Sequence, residues 1–464
     1  MKIYFKAIFY YFFIIFCIAS MQFIGGCAQI GVPVGGPKDT IAPMLTKANP
    51  TFGSTKVTNN TITLSFDEYI DLQDLQQNLI ISPLQNKNPT ITANPKSITI
   101  KFKDTLLPNT TYTINFGNAI RDFNENNITK DFTYLFSTGK TLDSATISGK
   151  VLIAESGGID STIIVLLYRN AVDSTVKNKK PNYIAKLKGD GSFQFKNLPT
   201  ANFKIYALKD ADGGKTYNTK FETFAFLQTE VSSTTNENVL LYAYAEEKAA
   251  ENNNTTSITK KNIDKKLKLQ TNIQSTKDLL EPLEISYNNP LKDYDFSKIY
   301  LTDTFYKKIT TAKYSLDSTS KKITLSHIWQ PETTLILIIE KDAAADSVGN
   351  KINKTDTIRF TTKRKEDYGR ITLRFNDLDL FKTPVLQFLN GETVKYTYPL
   401  TSKEWSNSMF PPGEYDIRIL YDTDKNGKWT PGNYTKKIQP ELGVTIPQKL
   451  SIRADWDNEQ EINL

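Results

Sequence analysis

The sequence predicts an all-β chain of tandem domains arranged in the order A-B-A′-B′. Three observations predict it. Apolar residues alternate with polar ones at Ile62, Leu64 and Phe66, and again at Tyr112, Ile114 and Phe116; a period of two marks strands with one buried face. Clusters of Asn, Asp, Gly and Pro separate these runs, as turns require. A long-period internal repeat then runs through the chain. No long amphipathic helix with clear caps is visible, and residues 72–79 suit a helical turn or two. At about 100–150 residues per domain, a chain of 464 residues implies three or four domains. Each could bury its own core.

The N-terminus is a separate element. Lys2 and Lys6 precede an apolar stretch over about residues 7–19, and the run Phe23-Ile24-Gly25-Gly26-Cys27 follows. A branched apolar residue, two small residues and a cysteine resemble the lipobox of bacterial lipoproteins. A transmembrane helix needs about 20 apolar residues, more than this core supplies. A plain signal peptide would favour a small-x-small cleavage site with no cysteine. The resemblance implies cleavage before Cys27, loss of residues 1–26, and a diacylglyceryl thioether with a further palmitate-type acyl chain on Cys27. Cleavage would remove two lysines and no acid, lowering the formal net charge of +7 by two. Cys17 would leave with the signal. With Cys27 as the remaining thiol, no disulfide and no thiolate metal site is expected. Residues 27–40, rich in Gly and Pro after the cysteine, read as a flexible tether. Ala28 follows Cys27, so nothing argues for inner-membrane retention of the aspartate type.

The repeat defines the body. Pro108-Asn109-Thr110-Thr111 begins a strand leading to Asp122, Asn126 and Ile128, then Phe136-Ser137-Thr138. Pro331-Glu332-Thr333-Thr334 begins one leading to Asp346, Asn350 and Ile352, then Phe360-Thr361-Thr362. From the aspartate onward the spacing is the same. A second pair interleaves: Leu198-Pro199, Phe203 to Ala207 and Asp210-Ala211-Asp212-Gly213 against Pro412-Gly413, Tyr415 to Ile419 and Asp422-Thr423-Asp424. The period is too long for a solenoid and indicates duplication of a two-domain unit. The expected bounds are 41–141 for A, 145–245 for B, 267–363 for A′ and 364–464 for B′. Residues 246–266, polar and Asn-rich, read as a solvated linker and hinge.

Segment A resembles the bacterial Ig-like domain of the SbsA type, through Pro43 and Pro50, Phe66-Asp67-Glu68, Leu107 to Tyr112, Asp122 with Asn126, and Phe136-Ser137-Thr138. A′ is a diverged copy, lacking the opening proline pair and carrying Leu335 where A has Tyr112. Segment B is similar to the prealbumin-like, carboxypeptidase-regulatory sandwich, through Ile147 to Val151, Gly189-Asp190-Gly191-Ser192-Phe193 and the Leu198-Pro199 turn. B′ keeps the Pro-Gly-Glu-Tyr turn and the Asp-x-Asp loop. The resemblance implies four β-sandwiches in tandem after a lipoprotein signal peptide, as in Ig-like-domain lipoproteins of Gram-negative outer membranes.

A search for chemistry yields little. The single histidine, His327, lies in a strand-like run from Ile323 to Trp329 and reads as a packing or surface residue. No second His and no spare Cys stands ready to complete a nucleophilic triad, and no glycine-rich phosphate loop opens a helix. Mild, dispersed positive charge without a Lys/Arg block excludes a nucleic-acid footprint. Asp422, Asp424 and Asn426 read D-x-D-x-N-G, the opening of a calcium loop: oxygen ligands at alternate positions suit a hard cation. The twelfth position is Asn433, not Glu, and Lys425 and Lys428 dilute the charge, so a plain strand-connecting turn is the alternative. Trp329, Trp405, Trp429 and Trp456 are scattered, which favours packing over a sugar-stacking platform. Eight Asp-Ser/Thr-x triplets place hydroxyls at Thr40, Thr105, Ser144, Ser161, Ser174, Ser318, Ser347 and Thr357. They resemble an O-glycosylation sequon of some Gram-negative periplasms; Asp-Ser and Asp-Thr are also ordinary turn pairs.

The expected function is that of a non-catalytic scaffold held on the outer membrane by the lipid on Cys27, on its periplasmic face or the cell surface. An envelope protein complex is its expected partner, and no cofactor beyond calcium is implied. A glycan- or polymer-binding module is the alternative, and a calcium- or carboxylate-dependent hydrolase a lesser one.

Overall fold

A computed structural model describes residues 9–16, 18, 38–235, 238–248, 266–274 and 276–464. Cys27, the tether up to residue 37 and most of the stretch 246–266 lie outside the described residues. Residues 9–16 are helical, and no helix among the described residues is long and apolar enough to cross a membrane. The chain divides into two compact units, 1–142 and 143–464.

The first unit is a β-sandwich. One sheet runs in the order Leu45–Asn49, Thr61–Phe66, Ser97–Lys101, Thr90–Asn94, and the other Ile80–Ser82, Thr111–Gly117, Phe132–Ser137. Period-two alternation sends Ile62, Leu64, Ile98 and Ile100 inward from the first, where they meet Tyr112, Ile114, Phe116 and Phe136 from the second. The helical turn expected over 72–79 is a single turn, Leu75–Asn78.

The second unit holds A′, B and B′. A′ repeats the plan of the first unit with one strand added, Thr276–Lys277, in its second sheet: Leu269–Thr271, Leu283–Tyr287, Lys322–Ser326 and Lys313–Leu316 form the first sheet. Thr276–Lys277, Asp356–Thr362, Thr334–Ile339 and Ile299–Thr302 form the other. The corner repeats too. The Thr138 hydroxyl accepts from the Thr110 N–H at 3.0 Å and donates to the Leu107 carbonyl at 2.7 Å. Thr362 accepts from Thr333 N–H at 2.9 Å and donates to the Gln330 carbonyl at 2.6 Å. Asn109 and Glu332 both take positive φ in the turn between.

B and B′ share a second plan. In B, Ser192–Leu198, Ala145–Ile153 and Asn238–Ala243 form a sheet with a parallel pair, facing the sheet Tyr183–Lys186, Ile164–Arg169, Asn202–Leu208, Phe224–Phe226. In B′ the same order is built by Glu404–Phe410, Gly369–Asn376 and Asp457–Asn463, facing Thr393–Pro399, Pro384–Asn390, Gly413–Tyr421, Leu442–Thr445. The chain is thus an all-β array of tandem sandwiches.

One feature departs from a string of separate domains. The sheet of B that contains Ile164–Arg169 is apolar on both faces. Val165, Leu167, Phe203 and Ile205 fill the sandwich. Leu166, Tyr168, Tyr206, Leu208, Phe224 and Phe226 face out and are covered by Val176, Tyr217 and Tyr244 of B itself together with Tyr434 of B′. The Tyr434 ring sits edge-on to Phe224 and Phe226, each at 5.1 Å, and its hydroxyl donates to the Asp173 carbonyl at 2.7 Å. Lys437 lies 3.8 Å above that ring and 3.1 Å from the Asp173 carboxylate. The edges also join: Gly443 N–H donates to the Ala154 carbonyl at 2.7 Å and Thr445 N–H to the Ser156 carbonyl at 2.8 Å. The stretch 246–266 was expected to be solvated throughout, yet its first residue is docked. Glu246 accepts from the Tyr217 hydroxyl and the Tyr434 N–H, both at 3.0 Å, because the B′ loop passes over it.

Candidate functional site

The docking of B′ on B encloses a cleft of about 580 Å³. B supplies Glu155 and the segment 245–248; B′ supplies Gln387, Arg418 and Trp429 from two strands and the 422–441 loop. Gln387 and Arg418 are direct cross-strand partners on the outward face of their sheet, where such residues normally meet water. Here B covers them, leaving Gln387 2% and Arg418 5% exposed. The Arg418 Nε donates to Gln387 Oε1 at 2.8 Å, and its Nη1 to Glu155 Oε1 at 3.2 Å across the interface. Lys248 approaches the same carboxylate at 3.2 Å. A buried guanidinium must be paired in this way, since removing one partner strands a desolvated charge. Trp429 forms the wall, with its indole N–H held by the Glu441 carbonyl at 2.8 Å.

The predicted calcium-loop residues lie beside this wall. Asp422 and Asp424 approach Glu441, with one ligand oxygen from each within 4.8 Å of the others. Glu441 comes from the far end of the loop and no spacing rule points to it. Backbone N–H groups already serve the carboxylates. Asn426 and Gly427 donate to Asp422, and Thr423, Asp424 and Thr430 donate to Glu441. The Thr430 hydroxyl above all, with help from Asn426, holds the Asp424 carboxyl below its usual range. Asn426 turns its amide to Asp424 and Thr430, while its carbonyl oxygen accepts from Lys428 N–H. No lysine or arginine among the described residues pairs with these three acids.

The other predicted residues are dispersed. Thr40, Thr105, Ser144, Ser161, Ser174, Ser318, Ser347 and Thr357 are all exposed. Several of their preceding aspartates close turns, as Asp160 does by accepting from Thr162 N–H at 3.0 Å and Asp39 from Ile41 N–H at 2.9 Å. His327 falls just past the strand Lys322–Ser326, packs edge-on against Trp329 at 5.1 Å, and has its pKa lowered by burial. Trp329 is buried, Trp405 packs on Phe388 inside B′, and Trp456 is exposed beside Arg453. The tryptophans form no common platform; Trp429 alone of the four lines the cleft.

Residues 39–138 match the family model of the bacterial Ig-like domain. No curated protein matches the chain. Among solved structures, the N-terminal part of the bacterial S-layer protein SbsC aligns over 44% of this chain and 44% of its own length, at 15% identity and a TM-score of 0.17. The S-layer protein rSbsC(31-844) aligns over 90% and 54%, at 12% identity and a TM-score of 0.16. BcpA, the major pilin subunit of Bacillus cereus, aligns over 69% and 99%, at 9% identity and a TM-score of 0.17. The chain therefore spans about half the length of the S-layer chains it matches, and none of these likenesses bears on function.

Proposed function

We propose that the chain is a non-catalytic scaffold lipoprotein, held on the outer membrane by a lipid on Cys27 and presenting its β-sandwiches to an envelope protein partner. The observation that carries this reading is the duplicated sandwich array, with a bacterial Ig-like match at 39–138. Sandwiches host many activities, and here the buried polar side chains serve structure: Asp122 and Asp346 close turns inside their own domains, and Arg418 bonded to Glu155 joins B′ to B. The lipobox-like run ending at Cys27 supplies the anchor, and the SbsA-type and prealbumin-like resemblances supply the envelope context. Glycans on the exposed Asp-Ser/Thr hydroxyls would add bulk and solubility. Crosslinking in intact cells followed by solubilisation should recover the chain with a protein partner, and its intact mass should exceed that of the bare polypeptide by lipid and sugar. Cys27→Ser should release or misroute the chain. Recovery as a lone monomer, or membrane retention of the variant, overturns the reading.

A second reading concerns the 422–441 loop. Three carboxylates brought together without a basic partner favour a hard cation such as calcium. Added calcium should then raise the unfolding temperature, and Asp422→Asn should abolish the rise. An unfolding temperature indifferent to calcium and chelator would identify the loop as a plain turn.

A further inference from the structure

We propose that the cleft between B and B′ binds an anionic saccharide, a pyranose ring bearing a carboxylate. The inference rests on the cleft and not on the scaffold reading.

Size comes first. A space of about 580 Å³ lies inside the range of about 300–1,000 Å³ typical of small-ligand sites and takes one or two sugar rings. The wall comes next. Trp429 is half-buried, its indole fixed by the bond to the Glu441 carbonyl, and it borders the cleft. A pyranose ring has an apolar C–H face that packs on an indole, while its hydroxyls need planar donors and acceptors around the rim. Glu155 and the carbonyl oxygen of Asn426 offer acceptors there, while Gln387 and Arg418 lie buried beneath and lock Glu155 in place. Preorganised polar groups of this kind cost little to order when a ligand arrives.

Charge selects the class. Of the two acids in the lining, Glu155 is neutralised by Arg418 and Lys248, and Glu246 is turned to the Tyr217 hydroxyl and the Tyr434 N–H, so the four cations of the lining outnumber its acids. Lys395 and Lys428 also line the cleft, are exposed, and form no ion pair with any described residue. Two unpaired ammonium groups at the mouth of a cleft with a low-dielectric wall draw an anion inward. A neutral sugar would gain the stacking and the hydrogen bonds but leave both charges idle. The site is built from both halves of the duplication. It therefore exists only while B′ is docked on B, and neither sandwich contains it alone.

The test uses the full chain in detergent, titrated by calorimetry and by indole fluorescence with a glucuronate oligomer and with a glucose oligomer of equal length. The acidic oligomer should bind at least about tenfold more tightly than the neutral one. Lys395→Gln with Lys428→Gln removes two exposed charges and, with an unchanged circular dichroism spectrum as the control for folding, should weaken the acidic oligomer by about tenfold or more. Trp429→Phe should keep the calorimetric signal and lose the fluorescence change. Three results would overturn the proposal: no binding of the acidic oligomer at about 10 mM, equal binding of the two oligomers, or unchanged affinity in the double lysine variant.

Discussion

Asp346 and Asp122 occupy the same place in two copies of one domain plan, and both are almost fully buried. Asp346 accepts from the N–H groups of Val348 and Asn350 and from the side-chain amides of Asn289 and Asn350, all at 2.9–3.0 Å. Burial raises its carboxyl pKa, but these hydrogen bonds, led by Asn350 and Asn289, outweigh burial and hold it at about 2. Asp122 is depressed in the same direction, through the N–H groups of Asn124 and Glu125. A pKa held below the ordinary 3.8 means that the folded state favours the ionised form. The stabilisation is therefore full above about pH 4 and is lost as pH falls toward 2. Asp346→Asn puts an amide donor against the donors of Asn289 and Asn350. It should lower stability at pH 7 and flatten the acid limb of the unfolding curve between pH 4 and 2, read by circular dichroism; an unchanged limb would assign the acid sensitivity elsewhere. Both aspartates were legible in the sequence as turn acceptors, because the N–H donors lie within a few positions, whereas the Asn289 amide that meets Asp346 from 57 positions away was not. Glu441 was not, since its partners in the loop come from the opposite end.

Strands carry the next level of information, and their alternation was legible wherever one face alone is buried. The run Ile164-Val165-Leu166-Leu167-Tyr168 breaks the alternation, and a near-continuous apolar run signals two buried faces. The opposite case is Ile417-Arg418-Ile419-Leu420, where Arg418 reads as solvent-facing. It is buried because Glu155, 263 positions away, comes to meet it. No local pattern encodes that partner. The edge contact depends on Gly443: a Cβ there would lie 2.0 Å from the Glu155 carbonyl oxygen, far inside van der Waals contact. Gly443 faces that backbone from the edge strand Leu442–Thr445, outside the B′ core. Gly443→Ala should therefore leave both sandwiches folded and push B′ off B. Amide exchange at Gly443 and Thr445 should accelerate while exchange in Gly369–Asn376 stays slow. Equal protection of Thr445 in variant and parent would show that the edge can shift to admit a methyl group.

At the scale of the second unit, duplication has produced two sandwiches of one plan, one docked on the other, with A′ inserted between them in sequence. Tyr434 is the plug of that joint. It is 3% exposed, ringed by Tyr206, Tyr217, Phe224 and Phe226, and bonded through its hydroxyl to Asp173 and Tyr206. Burial of the ring pushes the hydroxyl pKa well up, so the plug stays neutral at any physiological pH. Removing a buried aromatic of this size costs about 3–5 kcal/mol, part of it as a cavity. If the joint holds the halves by itself, the covalent connection between B and A′ is dispensable once folding is complete. A protease site placed within 249–265 should then yield a nicked chain that still elutes as one particle. Tyr434→Ala in that nicked chain should let the fragment carrying B part from the fragment carrying A′ and B′. Separation of the nicked parent, with Tyr434 intact, would mean that the linker and not the aromatic plug keeps B′ on B, and the cleft would then depend on an unbroken chain.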